Sequence, residues 1–274
     1  NGKRRQQNIS TMRLRVKILI LIIILVLVGL GFLSWLSPRI YAVPVLMYHS
    51  VNLMPKEGNR LQISQDTFDR QMRFLKEKKY NVVTLEEVAR IILSGKSVPH
   101  KTVVITLDDG YRDNYYFAFP ILKKYGLPAT IFIIYNEIGR FDRLSWNEVY
   151  TMRDSGLITF GSHTLGPEPL VNIKSDDEVR RQIFLSKVKF QEKVGKPVDL
   201  FSYPEGKFNS RIKDLVKEAG YKAAVVTSPG KKYPNNDIFL LKRLRISSTA
   251  ENLLVFWIQT SGFYTFIKEH RDKD

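Results

Sequence analysis

The 274-residue chain contains no cysteine, which excludes disulfides, thiolate metal sites and cysteine nucleophiles together. Histidine is nearly as scarce: His49, His100, His163 and His270 are the only four, so any imidazole chemistry rests on one or two of these positions. No acidic residue precedes Glu57. A glycine-rich phosphate loop is also missing. "LSGKS" ends like one, but it lacks the first glycine at the required spacing and follows a helix-like run. The 43 Lys and Arg outnumber the 27 Asp and Glu, for a net charge of +16. These bases are scattered over helix faces such as "RFLKEKK" and "RIKDLVKEAG" instead of clustering among aromatics, so nucleic acid is not an expected partner.

One long hydrophobic run is present. From Ile18 to Leu36 the chain reads "ILILIIILVLVGLGFLSWL", nineteen residues without a charge. At about 1.5 Å of rise per residue this matches a bilayer core of about 30 Å. Lys3, Arg4, Arg5, Arg13, Arg15 and Lys17 precede it, which places the N-terminus in the cytoplasm and the chain beyond Pro38 outside. A cleaved signal peptide calls for a shorter apolar core and small residues at the cut; Ala42 in "RIYAVP" is a poor cleavage site. The expectation is a single-pass membrane protein. Residues 1–17 form a basic cytoplasmic segment, 18–36 an anchor in the lipid bilayer and 37–42 a linker. One extracytoplasmic domain then spans 43–262, followed by a polar tail, 263–274.

Within that domain strand-like and helix-like runs alternate. "VPVLMYH", "KTVVITL", "LPATIFII", "LITFGS", "VDLFSYP", "YKAAVVT" and "FLLKRLRIS" read as strands, and the β-branched runs among them suit a buried parallel sheet. Between them lie amphipathic helices. One starts at Ser64 with Phe68, Met72 and Leu75 on a single face, and another opens on the capping-box pair Ser175 and Glu178. About seven strand–helix units predict an α/β domain, better as a distorted (β/α) barrel than as an open doubly wound sheet.

Polar residues collect where these strands end, the place where α/β barrels carry chemistry. His49 follows the first strand, Asp108 and Asp109 follow "VVITL", His163 follows "LITFGS", and Tyr203, Pro204 and Glu205 follow "VDLF". Adjacent carboxylates can divide labour, one binding a cation while the other acts as a general base. "DDG" reads equally as an Asp-Gly turn whose aspartate caps the next helix. His163 alone is an ordinary strand-end histidine; beside Asp109 it becomes half of a zinc-type site.

Taken together, "TLDDG" (Thr106–Gly110), "SHT" (Ser162–Thr164) and "SYPEG" (Ser202–Gly206), with the opening "VPVLMYHSV", resemble the NodB-homology polysaccharide deacetylases over about Val43–Ser247. The style of the motifs is similar to members acting on exported poly-N-acetylglucosamine. The resemblance implies metal-dependent removal of N-acetyl groups from an envelope polysaccharide, most simply with zinc. It makes Asp108 the general base and Asp109 and His163 metal ligands. The turn Tyr203–Pro204–Glu205 would bind substrate, with a backbone N–H at Glu205 holding the oxyanion.

Departures from the family pattern bear on activity. The second metal histidine should fall at Pro167 or Glu168; proline cannot ligate, and Glu168 reads either as a carboxylate ligand or as a solvated loop residue. Ser202 stands where the third motif often has an arginine. The late histidine that serves as acid has no match in "LKRLRIS", which leaves His49 as the candidate for acid or third ligand. Three functions are therefore carried forward: an active N-deacetylase, a glycan-binding or scaffold protein whose chemistry is lost, and an O-acetyl esterase.

Overall fold

All six residues of "TVVITL", Thr102–Leu107, are buried, as a strand covered on both faces requires. In the computed structural model of the chain this segment is β5, the member of the sheet with most partners. The structure describes residues 17–29, 31, 41–227, 236–247 and 250–271. The other strands are β1 (Val45–Tyr48), β2 (Ser50–Asn52), β3 (Gln62–Ser64), β4 (Asn81–Val82), β6 (Ala129–Ile133), β7 (Ile158–Ser162), β8 (Leu200–Ser202), β9 (Ala223–Val226) and β10 (Leu241–Arg245). Every pairing among these strands is parallel. The order β1-β10-β9-β8-β7-β6-β5 returns to β1, so seven strands close a barrel, and β4 adds to the lower half of β5. β2 and β3 make a separate pair.

Helices Gln65–Glu77, Leu85–Leu93, Phe119–Tyr125, Trp146–Asp154, Asp176–Val194 and Ser210–Glu218 alternate with the strands. Their starts follow local capping chemistry. Ser64, Thr84, Ser145, Ser175 and Asn209 each accept a backbone N–H of the helix they open, and Ser145 with Glu148 completes a capping box. Phe68, Met72 and Leu75 of the first helix are fully buried, on the face their spacing predicts.

Residues Tyr264–Arg271 of the expected polar tail form a helix. They follow the helix Leu253–Gln259, and Glu269 meets Lys242 of β10 at 2.6 Å with both side chains almost wholly buried. Charge in a sequence marks a solvated segment only when no opposite charge waits in the fold, and here one does. Residues 42–274 form one compact unit, holding the whole barrel and its core, and 1–41 another. Residues 17–29 and 31 are helical with exposed apolar side chains. No helix among the described residues is long and apolar enough to cross a membrane; the expected anchor 18–36 extends outside them.

Candidate active site

Register brings the strand-end residues to one rim. Tyr48 of β1 is paired with Leu107 of β5, so His49 and Asp108 leave the barrel side by side, and the Asp108 N–H donates to Tyr48 O at 3.0 Å. Ser162 of β7 is aligned with Ile133 of β6 and Phe201 of β8. That places His163 between their extensions, its N–H on Ile133 O at 2.7 Å.

Asp108 is 2 % exposed and meets Arg243 of β10, itself 1 % exposed. The guanidinium donates through Nη1 to Oδ1 at 2.6 Å and through Nη2 to Oδ2 at 2.7 Å. Nη2 also donates to Ser202 Oγ at 2.9 Å and Nη1 to Thr106 Oγ1 at 3.3 Å. Burial by itself would push the Asp108 carboxyl up. The charge of Arg243 and its two donated bonds, helped by His163, outweigh that and bring it down to about 2. Asp108 is therefore a carboxylate at any physiological pH.

His163 Nδ1 lies 2.8 Å from Ser202 O. A carbonyl only accepts, so Nδ1 carries the proton, and in the neutral ring Nε2 presents a lone pair. That lone pair faces Asp109 Oδ1 at 3.5 Å. Two acceptors turned toward each other, one a histidine fixed by a backbone carbonyl behind it, form an arrangement suited to a divalent cation. Asp109 and His163 fit such an ion. No group of three or more His, Asp or Glu residues placed to hold a metal occurs among the described residues, so the pair supplies two coordination positions. Ser202 joins both halves of the site, its hydroxyl on Arg243 and its carbonyl on His163.

A cavity of about 530 Å³ opens above these groups, lined by His49, Asp108, Asp109, His163, Pro204 and Glu205, with Arg143 and Arg245 at its walls. Asn114 Nδ2 donates to His49 O at 2.8 Å and holds that residue at the mouth. Burial lowers the His49 pKa, reinforced by the charge of Arg243 and opposed by the two aspartates, so its imidazole is neutral near pH 7. Three residues after strand ends, Asp109, Thr164 and Glu205, have left-handed backbones with φ of 69°, 69° and 54°. Such conformations are uncommon outside glycine and gather at functional sites. In the last turn Tyr203 N–H is taken by Val225 O and Gly206 N–H by Tyr203 O, and Pro204 has none. Glu205 lines the cavity.

Two expected site residues are placed elsewhere. The Tyr203 ring is fully buried, packed on Phe201 and Phe208, because its side chain leaves the strand end toward the core while the turn beyond it faces the mouth. Glu168 is exposed and accepts from Asn172 Nδ2 at 2.8 Å; it does not line the cavity, whereas Pro167 does. The turn that follows His163 carries the carboxylate past the rim and out to solvent. Glu205 contributes backbone only, its carboxylate pairing with Lys207. Arg243 is the functional residue that sequence reasoning missed. Its signal was a base at an inward position of the apolar run "LLKRLRI", opposite the place where Ser202 replaces an arginine.

Comparison with known proteins agrees with this geometry. The family model for polysaccharide deacetylase matches residues 95–224. YxkH of Bacillus subtilis, named as a polysaccharide deacetylase, is 33% identical over 205 residues, covering 75% of this chain and 71% of its own. A Staphylococcus aureus poly-beta-1,6-N-acetyl-D-glucosamine N-deacetylase is 30% identical, covering 76% and 75%. Among solved structures, the Streptococcus pyogenes deacetylase PplD in complex with acetate superposes with a TM-score of 0.71 at 29% identity, over 78% of this chain and 97% of that one.

Proposed function

Because the chain belongs to the polysaccharide deacetylase family, we propose that it hydrolyses N-acetyl groups on a polymer of N-acetylglucosamine outside the cell, anchored by residues 18–36 and dependent on a divalent cation. The observation that carries this reading is the buried Asp108–Arg243 pair set beside the Asp109–His163 acceptor pair at one barrel rim. The pair leaves an ionised carboxylate lining an open cavity beside the Asp109–His163 acceptors, which is what abstraction of a proton from water requires.

A divalent cation, zinc in the simplest case, would be held by Asp109 and His163 and would supply Lewis acidity toward the acetyl carbonyl and the attacking water. The remaining work falls to the chain's own residues. Asp108 accepts the proton of that water. With a pKa of about 2 it holds a proton only transiently, so an onward acceptor is needed. The neutral imidazole of His49 lines the same cavity, receives the proton and delivers it to the departing amine. The Glu205 N–H stabilises the oxyanion, and Arg243 keeps Asp108 ionised and correctly turned.

The test is zinc stoichiometry and acetate release on the same preparations. Wild type and Glu168→Ala are expected to bind one zinc per chain, and Asp109→Ala and His163→Ala to lose it. Acetate release from N-acetylglucosamine oligomers should fall at least about a hundredfold in Asp108→Asn and in His49→Ala. A wild-type chain that takes up no zinc at micromolar concentration and releases no acetate returns the scaffold reading.

A further inference from the structure

The end of the barrel away from the cavity carries an apolar and basic face. Ala42, the first residue of the domain unit, donates its N–H to Gly262 O at 2.9 Å, between the helices Leu253–Gln259 and Tyr264–Arg271. Close by, the Thr260 hydroxyl donates to Tyr80 Oη at 3.1 Å, and Lys101 Nζ lies 6.0 Å from the centre of the Tyr80 ring. Ala42, Tyr80 and Lys101 all precede strands, β1, β4 and β5, so this is the N-terminal end of the barrel. The catalytic residues follow the opposite ends.

A groove of about 450 Å³ opens here, lined by Phe74, Tyr80, Leu254 and Trp257 with Lys78 and Lys101, and by no acidic residue. The helix Leu253–Gln259 has two apolar faces. Phe256 packs into the core, while Leu254, Trp257 and Ile258, at positions i, i+3 and i+4, are 61 %, 52 % and 39 % exposed. Ile267 of the next helix is 53 % exposed as well. Monomeric proteins rarely leave a contiguous face of this kind in water.

We propose that this face docks the domain on an anionic phospholipid bilayer, with Trp257 and Leu254 entering the interfacial region and Lys78 and Lys101 on headgroup phosphates. Tryptophan favours that region because one part of its ring system is apolar and the other donates a hydrogen bond. Lysines flanking an apolar patch bury their stems and keep their charge at the phosphates. The choice of a bilayer over other partners rests in part on the anchored reading, since the uncharged run Ile18–Leu36 leads along the chain to Ala42. Docked in this way, the domain turns its catalytic mouth away from the lipid, toward polymer outside the membrane.

The test uses residues 42–274, which contain the complete barrel and core. The segment is sedimented with vesicles of phosphatidylglycerol and phosphatidylcholine, and with phosphatidylcholine alone. Binding to the mixed vesicles is expected to be at least about tenfold tighter. Leu254→Ser with Trp257→Ser should abolish it, and Lys78→Gln with Lys101→Gln should weaken it roughly 30-fold, with cooperative thermal melts retained in every variant because none of these side chains belongs to the buried core. A segment that stays in the supernatant with both vesicle types overturns the proposal. So does binding that survives loss of Leu254 and Trp257, or a Trp257-dependent dimer in the absence of lipid, which would assign the face to a second copy. Acetate release from a soluble N-acetylglucosamine oligomer is followed on the same samples and should not change in the groove variants. Its absence with docking intact would reject the deacetylase reading and leave the docking standing.

Discussion

Asp108 and Arg243 neutralise each other inside the barrel, and the consequence can be measured. Arg243→Met leaves a carboxylate buried without its counter-charge, a change that costs about 3–5 kcal/mol. The urea midpoint of 42–274 at pH 7 should drop accordingly, and Asp108→Leu added to Arg243→Met should recover most of the loss without restoring acetate release. The pair's pH dependence follows from a carboxyl lowered from 3.8 to about 2: its stabilisation is complete above pH 4 and is lost as pH falls through 2. Asp113 has the opposite sign. Burial pushes its carboxyl up to about 6, against the bonds it accepts from Ser50, Val51 and Asn114. The native state therefore binds the proton more tightly than the unfolded chain, and stability declines as pH rises from about 4 to 6. In Asp113→Asn that slope should vanish from urea titrations across this window, with a higher midpoint than wild type at pH 7.

At the scale of the element, the site depends on two glycine turns that differ in tolerance. Gly110 has φ of 63°, and a Cβ there would meet only the far end of Ile133, at 2.5 Å; Gly206 has φ of 70°, and its Cβ would sit 2.6 Å from the backbone nitrogen of Thr227. A flexible side-chain end can turn aside, whereas the neighbouring strand backbone cannot. Gly206→Ala should therefore cost more than Gly110→Ala. The left-handed strain of about 1–2 kcal/mol is common to both, and at Gly206 overpacking adds about 1–3 kcal/mol. The same turn presents the Glu205 N–H, so Gly206→Ala should also depress kcat while KM for an oligosaccharide changes little. Thermal melts with steady-state acetate assays separate the two effects.

Across the whole molecule, the C-terminal helix is part of the domain, held to the outer face of β10 by Lys242 and Glu269, with side chains 5% and 7% exposed. Adjacent positions of one strand thus serve two purposes, Arg243 inward to the Asp108 carboxylate and Lys242 outward to the last helix. Glu269→Leu should destabilise the domain by about 3–5 kcal/mol by leaving Lys242 buried and unpaired. Lys242→Met in the same chain should return most of it, as chemical denaturation of the single and double variants would show.

Strand–helix alternation, the seven-strand barrel and the polar residues at strand ends were legible in the sequence, because hydrophobic period, caps and turn residues act over a few positions. Asp108, His163 and His49 could be placed at the rim in that way, since each directly follows an apolar strand, and Asp109 comes next after Asp108. The amino-acid order could not show that a base in "LLKRLRI" completes the carboxylate of "TLDDG", since β1 stands between β5 and β10 in the ring and the partners lie 135 residues apart. Nor could it show where Glu168 points, or that Tyr203 turns into the core while its neighbour Glu205 turns out. Local pattern determined which elements form and where their ends carry polar groups. Which side chains meet across the closed barrel is a property of register and curvature, and these are set only when all seven strands pack at once.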